Sequence, residues 1–437
     1  MVNEAKKRYL KNLTQVTSGM QYGATERIDL LQRLLAACGQ PDMKYPIIHI
    51  CGTNGKGSTG LMIAKLLQAT GLTVGSFTSP AINDDREMIQ IDQRMISYEA
   101  FNAAFLQVAQ GLQTLNLPLE SLSIFELWFM VALLYFAQAS VDAVVLECGL
   151  GGEFDATNAI TTAAYDVFTH IDYDHMALLG DDIESIALTK ARIIRTDAQV
   201  IDYPNQYLAV SQIIQQQAQQ KAATYHNSLE ITLTTTHSDL HGSDLLWQAQ
   251  PLHLGLVGSV QVQNLRTVLA FVKVYNQQPF GSVISREMIE QTLAQLKFIG
   301  RWQQLQTQPP IYLDGGHNPD ALKNVATLLK SEAAQFQLIL VLGFLKDKNV
   351  AENLRLLKDL AADVITTTPD QPQRAMVAAE LTQLVQENWT KAKSVQTAVL
   401  PEIALRRAKA MAQQYEQPLI FIGGSFYLVK AVLATDD

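Results

Sequence analysis

Residues 47–60 read "IIHICGTNGKGSTG": an apolar run, then Gly52, Gly55 and Gly57 around Lys56, then the hydroxyls of Ser58 and Thr59. Apolar residues at helical spacing continue to Gly71, which suits a helix C-cap. The stretch therefore predicts strand, loop and helix. It departs from the standard G-x-x-x-x-G-K-[ST] register, which would need glycine where Ile50 stands and a hydroxyl where Gly57 stands. The physical content of a phosphate cradle is nevertheless present. Glycines let backbone N–H groups approach phosphate oxygens, Lys56 neutralises charge, and the helix turns its positive end toward an anion. Ser58 or Thr59 lies within reach of a magnesium ion in such a loop. The plainer reading, a glycine-rich turn beside a solvent-facing lysine, is disfavoured by the strand before it and the helix after it.

The 437-residue chain carries 33 Lys and Arg against 42 Asp and Glu, a formal net charge of -9, and is 48% hydrophobic. That length and apolar content support a large core shared among roughly two or three domains. The acidic balance argues against nucleic-acid or membrane-surface binding by general electrostatic attraction. Cys38, Cys51 and Cys148 form no C-x-x-C pair and no zinc spacing, so neither a disulfide framework nor a structural metal is expected, and a cytoplasmic location fits. "MVNEAKKRYLKNLTQ" has no apolar signal core, and the longest apolar run, Leu127 to Ala137, falls short of the ~20 residues that span a bilayer.

Working outward, "LTVGSFTS" (72–79) reads as a second strand leading into the Pro, Asn and Asp-rich loop "PAINDDRE". "IFELWFMVALLYFAQ" reads as a buried helix, and "VDAVVLECGLGG" as an apolar strand ending at Glu147 before glycines. "AYDVFTHIDYDH" and "DDIESIALTKARIIR" repeat the alternation, as expected for a mainly parallel sheet covered on both faces, with binding loops at the carboxyl ends of its strands. Beyond residue 190 the pattern blurs: "SQIIQQQAQQKAATYH" suits a polar helix, "SLEITLTTT" and "LLWQAQPLHLGL" suit strands. A second alternating series, "PIYLD", "FQLILVLGF", "ADVITTT" and "PLIFIGG", follows "LAQLKFIGRWQQL" and places a domain boundary near residue 297. The expected domains are 1–296 and 297–437.

Several side chains admit two readings. Glu147 is either a carboxylate capping the glycine turn or an acid for a nucleotide-linked metal. His175, with Asp172 and Asp174 nearby, is an ordinary hydrogen-bonded histidine or a ligand. Lys190 by itself reads as a solvated lysine on an amphipathic helix. "LDGGHNPD" puts Asp314 at a strand end and His317 before an Asn-capped, Pro-started helix, either as turn chemistry or as a ligand site.

Together these stretches resemble the folylpolyglutamate synthase and dihydrofolate synthase family, within the ATP-dependent Mur-type ligases. The likeness runs from "GATERIDLLQRLLAACG" to "GGSFYLV", and its most specific pieces are "HICGTNGKGST", "FTSP", "VVLECGLGGEFDATN", "IDYDHMALLG", "GRWQ", "LDGGHNP" and "GFLKDKN", in family order. The resemblance implies an α/β fold: a larger P-loop ATPase domain with a mainly parallel sheet and a smaller Rossmann-like C-terminal domain, the glutamate ligase domain, with ATP between them. It implies a cytoplasmic, monomeric ligase. ATP as co-substrate would phosphorylate a folate-type carboxylate, and L-glutamate would attack the acyl phosphate to form an amide.

By the same resemblance, Lys56 and the amides of residues 53 to 59 (Thr53, Asn54, Gly55, Lys56, Gly57, Ser58, Thr59) would hold phosphate. Ser58, Ser79, Glu147 and His175 would coordinate Mg2+, and Asn264, Arg301, Asp314 and His317 would hold or orient ATP. Lys190 would be carbamylated, since a carbamate turns a cation that repels magnesium into an anion that attracts it. Lys56, Lys190 and His175 are the expected catalytic groups, and Pro80, Ala81 and Ile82 the expected substrate loop. The chain departs from the family at Thr189 and Arg192 around Lys190, at Glu153 where arginine is usual, and at Ala81 and Ile82 after "TSP". Folate or pteroate and glutamate are the expected partners, with dihydrofolate synthase, a bifunctional enzyme and a non-catalytic nucleotide-binding paralogue as alternatives.

Overall fold

The structure, a computed structural model, describes residues 4–17 and 25–436. Gly23 and Ala24, which open the stretch "GATERID", lie outside the described residues. The chain divides into two compact units, one of residues 1–235, 245–253 and 261–295, the other of 236–244, 254–260 and 296–437.

In the first unit, eight strands form one sheet: β1 (Ile47–Cys51), β2 (Val74–Phe77), β3 (Ile89–Ile91), β4 (Arg94–Met95), β5 (Ala143–Glu147), β6 (Tyr165–Phe168), β7 (Gln199–Asp202) and β8 (Thr224–Asn227). Their order is β4-β3-β2-β5-β1-β6-β7-β8. Pairing is parallel from β2 to β8 and antiparallel only where β3 and β4 extend the edge. Strands β1, β5 and β6 are buried at every residue, which explains why they read as continuous apolar runs rather than alternating ones. From β1 the chain departs on one side to β2, and from β5 it crosses to β6 on the other. The topology therefore opens a crevice at the carboxyl end of β1.

The Ile124–Gln138 helix is apolar around most of its surface because it is an interior helix. Ser123 and Glu126 close its N-terminus as a capping box, the hydroxyl accepting from the Glu126 amide at 3.3 Å and the carboxylate from the Ser123 amide at 2.7 Å. Its Phe136 ring lies against β2 at Gly75, where a Cβ would come within 2.8 Å of the ring. No other residue type permits that approach.

In the second unit, β12 (Gln303–Thr307), β13 (Pro310–Asp314), β14 (Gln337–Leu342), β15 (Ala362–Thr366), β16 (Ser394–Thr397) and β17 (Pro418–Gly423) form a six-stranded sheet, of which only β12 is antiparallel. The order is β12-β13-β17-β14-β15-β16. Between the two large sheets in sequence lie β9 (Leu233–Asp239), β10 (Gly242–Trp247) and β11 (Gln250–Leu254), a separate sheet of three strands. "LLWQAQPLHLGL" is strand as expected, divided between β10 and β11 as most of a hairpin that reverses at Gln248 and Ala249 with φ of 52° and 61°. The start of "SLEITLTTT" is a 3-10 turn, Ser228–Glu230. A contiguous 1–296 domain is also not what the fold contains. Residues 236–244 and 254–260 join the second unit, where Leu240 and Val257 pack on the core that holds Tyr312, Leu338 and Phe421. Among the described residues no helix is long and apolar enough to cross a membrane.

Inside the first unit, His49 on β1 faces Asp166 on β6. Their nearest nitrogen and oxygen are 3.9 Å apart, and neither residue is exposed. Burial pushes the Asp166 carboxyl up to about 7, with the Arg195 amide hydrogen bond and the Arg195 charge only partly opposing it. Burial also pulls His49 down, and Arg195 adds to that effect. A carboxyl that keeps its proton to near neutrality in the fold but loses it near 4 when unfolded makes stability fall as pH rises between those values. His49, neutral in the fold, acts in the opposite sense below its ordinary range. Comparison with Asp166→Asn isolates the carboxyl. In paired thermal melts from pH 4 to 8, the variant should gain stability relative to the native chain as pH rises. The gain should be on the order of 1.4 kcal/mol for each pH unit crossed above the unfolded value, levelling off above about 7.

Candidate active site

The loop after β1 is shaped by close backbone contacts. Gly52 has no space for a side chain, since a Cβ would stand 2.0 Å from the Thr169 hydroxyl. Gly55, with φ of 91°, caps the Lys56–Ala69 helix, and a Cβ there would meet Asn264 Oδ1 at 2.5 Å. Asn264 is itself buried and donates to Gln261 Oε1 at 3.0 Å. The helix begins at Lys56, so Gly57, Ser58 and Thr59 belong to its first turn.

That start position decides which amides are aimed at an anion. The Thr53 and Asn54 amides both donate to the His170 carbonyl, at 2.8 and 3.2 Å, and the Thr59 amide donates to the Gly55 carbonyl at 2.9 Å. The expectation that every amide from 53 to 59 faces phosphate is therefore corrected. Those of Lys56, Gly57 and Ser58 occupy the helix positions that have no intrahelical partner. Thr53 instead fastens the loop to the segment that follows β6, its hydroxyl donating to the Asp172 carbonyl at 2.9 Å. The Lys56 ammonium lies over the loop, donating to the Gly52 and Thr53 carbonyls at 3.2 and 3.1 Å.

Lys190 is not a solvated lysine. It is 4% exposed on the Ile183–Ala191 helix, and its Nζ donates to the carbonyls of Gly52 at 3.0 Å and Gly151 at 3.5 Å. Burial holds its pKa below the ordinary range; Cys51 opposes that shift, and the neighbouring Lys56 reinforces it. The glycine turn after β5 is fitted to the same helix. A Cβ on Gly152 would stand 2.6 Å from the Thr189 carbonyl oxygen and 2.7 Å from the Lys190 Cα. Glu153 then donates its amide to the Thr189 carbonyl at 2.8 Å and pairs its carboxylate with Arg192. Two departures from the family pattern, an acid at 153 and a cation at 192, thus satisfy each other.

Glu147 ends β5 in register with Ile50, 5% exposed. Ser79 and Pro80 follow β2 at the same edge of the sheet, joined by a cis peptide, and Ala81 and Ile82 continue into a loop whose Ile82 and Asn83 amides are held by the Glu87 carboxylate. His175 follows β6 with φ of 51° at the start of the short Met176–Leu179 helix, its ring 3.8 Å from Asp174. The loops bearing Ser58, Ser79, Glu147 and His175 therefore all leave the carboxyl edge of one sheet. Their donor set, two hydroxyls, a buried carboxylate and an imidazole, fits a hard divalent cation that keeps part of its shell for phosphate oxygens. The Thr59 hydroxyl, fully buried, has no hydrogen-bond partner among the described residues, a polar group for which the first helical turn offers no internal use.

In the second unit a separate group forms at the carboxyl end of β13. Asp314 is half-buried, and the enclosure of its carboxyl raises its pKa against the opposing charge of Arg301. Its oxygens accept from the Gly316 amide at 2.7 Å and the Trp302 amide at 3.0 Å. The Arg301 guanidinium lies 4.6 Å from the Phe426 ring centre, and the His317 ring 6.1 Å from it. Asn318 caps the Pro319–Glu332 helix by accepting from the Ala321 amide. Arg301, Asp314 and His317 are thus one cluster. Phe426 and Asn353, which donates to the His317 carbonyl at 3.0 Å, complete it and were not foreseen. In the first unit Thr169, His170 and Gly151 were likewise missed; each acts through backbone or by filling space, which leaves no residue-type signal.

Residues 120–272 match the Mur ligase middle domain and residues 300–426 the Mur ligase glutamate ligase domain. The folylpolyglutamate synthase of Lacticaseibacillus casei is 32% identical over 422 residues, 92% of each chain. The dihydrofolate synthase/folylpolyglutamate synthase of Bacillus subtilis is 31% identical over 387 residues, 85% of this chain and 88% of that one. Mycobacterium tuberculosis folylpolyglutamate synthase, solved with ADP and AMPPCP, superposes with a TM-score of 0.86 at 27% identity, covering 99% of both chains. By extent and by the order of its motifs, the chain belongs to the folylpolyglutamate synthase/dihydrofolate synthase family of Mur-type ligases.

Proposed function

We propose that this protein is an ATP-dependent ligase that adds L-glutamate to a reduced folate, with the first compact unit serving ATP and the second, built mainly from residues 296–437, serving as the glutamate ligase domain. The observation that carries the proposal is the pair of lysines converging on the Gly52 carbonyl at the start of a glycine-capped helix. Two cations beside a helix N-terminus favour a polyanion strongly. Family membership makes that polyanion a nucleoside triphosphate.

In this reading the amides of Lys56 to Ser58 hold the outer phosphates and the Lys56 ammonium follows the charge that develops as the γ-phosphoryl moves to the folate carboxylate. Thr53, Asn54 and Gly55 shape the loop, Asn264 buttresses it at Gly55, and Arg301, Asp314 and His317 hold or orient the nucleotide. Ser58, Ser79, Glu147 and His175 hold Mg2+, which supplies Lewis-acid stabilisation of phosphate oxygens. The acyl phosphate formed on folate is then attacked by the glutamate amino group, and phosphate leaves as the amide forms. Without such cationic stabilisation, carboxylate and triphosphate repel each other. The Pro80–Ile82 loop is assigned to the folate.

Lys190 is assigned as a carbamate. Its depressed pKa leaves more neutral amine for addition to carbon dioxide, and the product nitrogen keeps one N–H for the Gly52 carbonyl while two oxygens replace the ammonium. The mutual neutralisation of Glu153 and Arg192 supports a working site over a silent one, since both departures are paired. Dihydrofolate synthesis is the second reading, favoured by relatives whose names join both activities. We assign the chain to the cytoplasm as a monomer.

Purified protein given ATP, glutamate and either tetrahydrofolate or dihydropteroate should release ADP with the former; release with dihydropteroate alone would replace the first assignment by the second. Lys56→Ala should lower kcat/KM for ATP roughly 10²–10³-fold, about 3–4 kcal/mol of transition-state stabilisation. Lys190→Ala should be inactive and partly restored by added acetate, and 13C-bicarbonate should give the native protein a carbamate resonance that the variant lacks.

A further inference from the structure

Cys51 and Cys148 stand back to back behind the phosphate loop. The β1–β5 register sets Ile50 opposite Glu147, and the Cys148 amide continues it by donating to the Ile50 carbonyl at 2.9 Å. The cysteines are therefore the next cross-strand pair. Both enter the same buried cluster with Phe168, Ile171 and Ile186, so both sulfurs lie on one face of the sheet. Neighbouring strands are about 4.8 Å apart, inside the range of roughly 4.4–6.8 Å that disulfides span between Cα atoms. All three cysteines of the chain are free thiols, and Cys38 sits elsewhere, its sulfur 3.7 Å from the Gln107 carbonyl.

The surroundings are polar as well as buried. Cys51 Sγ donates to the Gly151 carbonyl at 3.1 Å, the same carbonyl that Lys190 reaches. Cys148 Sγ lies 3.1 Å from His49 Nε2 and 3.5 Å from the Thr157 hydroxyl. Cys51 directly precedes Gly52, and Cys148 directly follows Glu147, so any change in the two sulfurs acts on both glycine turns of the site.

We propose that Cys51 and Cys148 are a reversible dithiol–disulfide modification site that governs nucleotide binding. With hydrogen peroxide as oxidant, one thiol sulfur attacks a peroxide oxygen, the O–O bond breaks, and a sulfenic acid and water form. The second thiol then displaces that hydroxyl as water. Two thiols and one peroxide give one disulfide and two waters, the sulfurs losing two electrons and the peroxide gaining them. Formation of the bond takes Cys51 from the Gly151 carbonyl and Cys148 from His49, and ties the 52–55 turn to the 149–152 turn. Transient disulfides of this kind are the form in which reducing compartments use cysteine pairs.

The nucleotide effect rests on the ligase reading above; the bond itself does not. Full-length protein treated with hydrogen peroxide, alkylated with N-ethylmaleimide and mapped by peptide mass should yield a Cys51–Cys148 linked peptide. The peptide should disappear with dithiothreitol, persist in Cys38→Ser and be absent from Cys148→Val. Oxidised protein should bind a fluorescent ATP analogue at least tenfold more weakly than reduced protein and recover with dithiothreitol. Oxidation confined to Cys38, or over-oxidation of Cys51 or Cys148 without a linked peptide, overturns the proposal. So does a linked peptide with unchanged analogue affinity. If reduced protein fails to bind the analogue while the linked peptide forms, the ligase reading fails and the dithiol site stands on the mapping.

Discussion

One carbonyl oxygen, that of Gly52, receives two ammonium groups: Lys56 from the helix that follows it and Lys190 from a helix more than a hundred residues later. Like charges so close, one of them buried, repel. The arrangement is stable because the rest of the first unit holds both lysine backbones in place, and it is relieved by any anion that arrives. Phosphate at the loop would relieve it from one side, and the proposed carbamate on Lys190 would relieve it from within. The remaining features of the site follow from keeping that carbonyl where it is.

That requirement explains the glycines. Gly52 must let Thr169 approach its Cα, Gly55 must turn with positive φ beside Asn264, and Gly152 must let the β5 turn lie on the Lys190 backbone. Each is a place where chain meets chain with no side chain between. It also explains why the His170 carbonyl takes the Thr53 and Asn54 amides: the loop is anchored to the segment after β6 before its helix begins. The anchoring gives up two donors to rigidity and leaves the helix's first turn as the part of the loop with unengaged amides.

Charge at the rim follows the same logic. An acid at 153 beside the proposed phosphate site would be unfavourable alone, yet Arg192 neutralises it within the same loop–helix contact. In the second unit, Asp314 is engaged in holding the Gly316 and Trp302 amides, which leaves Arg301 and His317 gathered around Phe426. Cys51 and Cys148 are small enough to fill the space behind the loops, and their sulfurs bring chemistry that aliphatic residues of similar size lack.

Strand and helix order was legible because periodicity and glycine punctuation are local: "IIHIC", "AVVLE" and "PLIFIG" are strands in the structure as they read, and the capping signal at Asn318 is where its helix begins. The hairpin at Gln248–Ala249 was not, since neither residue advertises the left-handed backbone it adopts. Nor was the allegiance of Leu240 and Val257, which burial in a core assembled mainly from residues beyond 296 decides. The sequence alone determined that Lys56 follows a strand and enters a helix, and that Glu147 ends another. Only tertiary structure decided that Lys190 is buried rather than solvated, which amides of the loop are already engaged, and that Glu153 has a partner. Those outcomes depend on strand register and on which carbonyls a fold leaves within about three ångströms of a donor, and neither is encoded in the spacing of residue types along the chain.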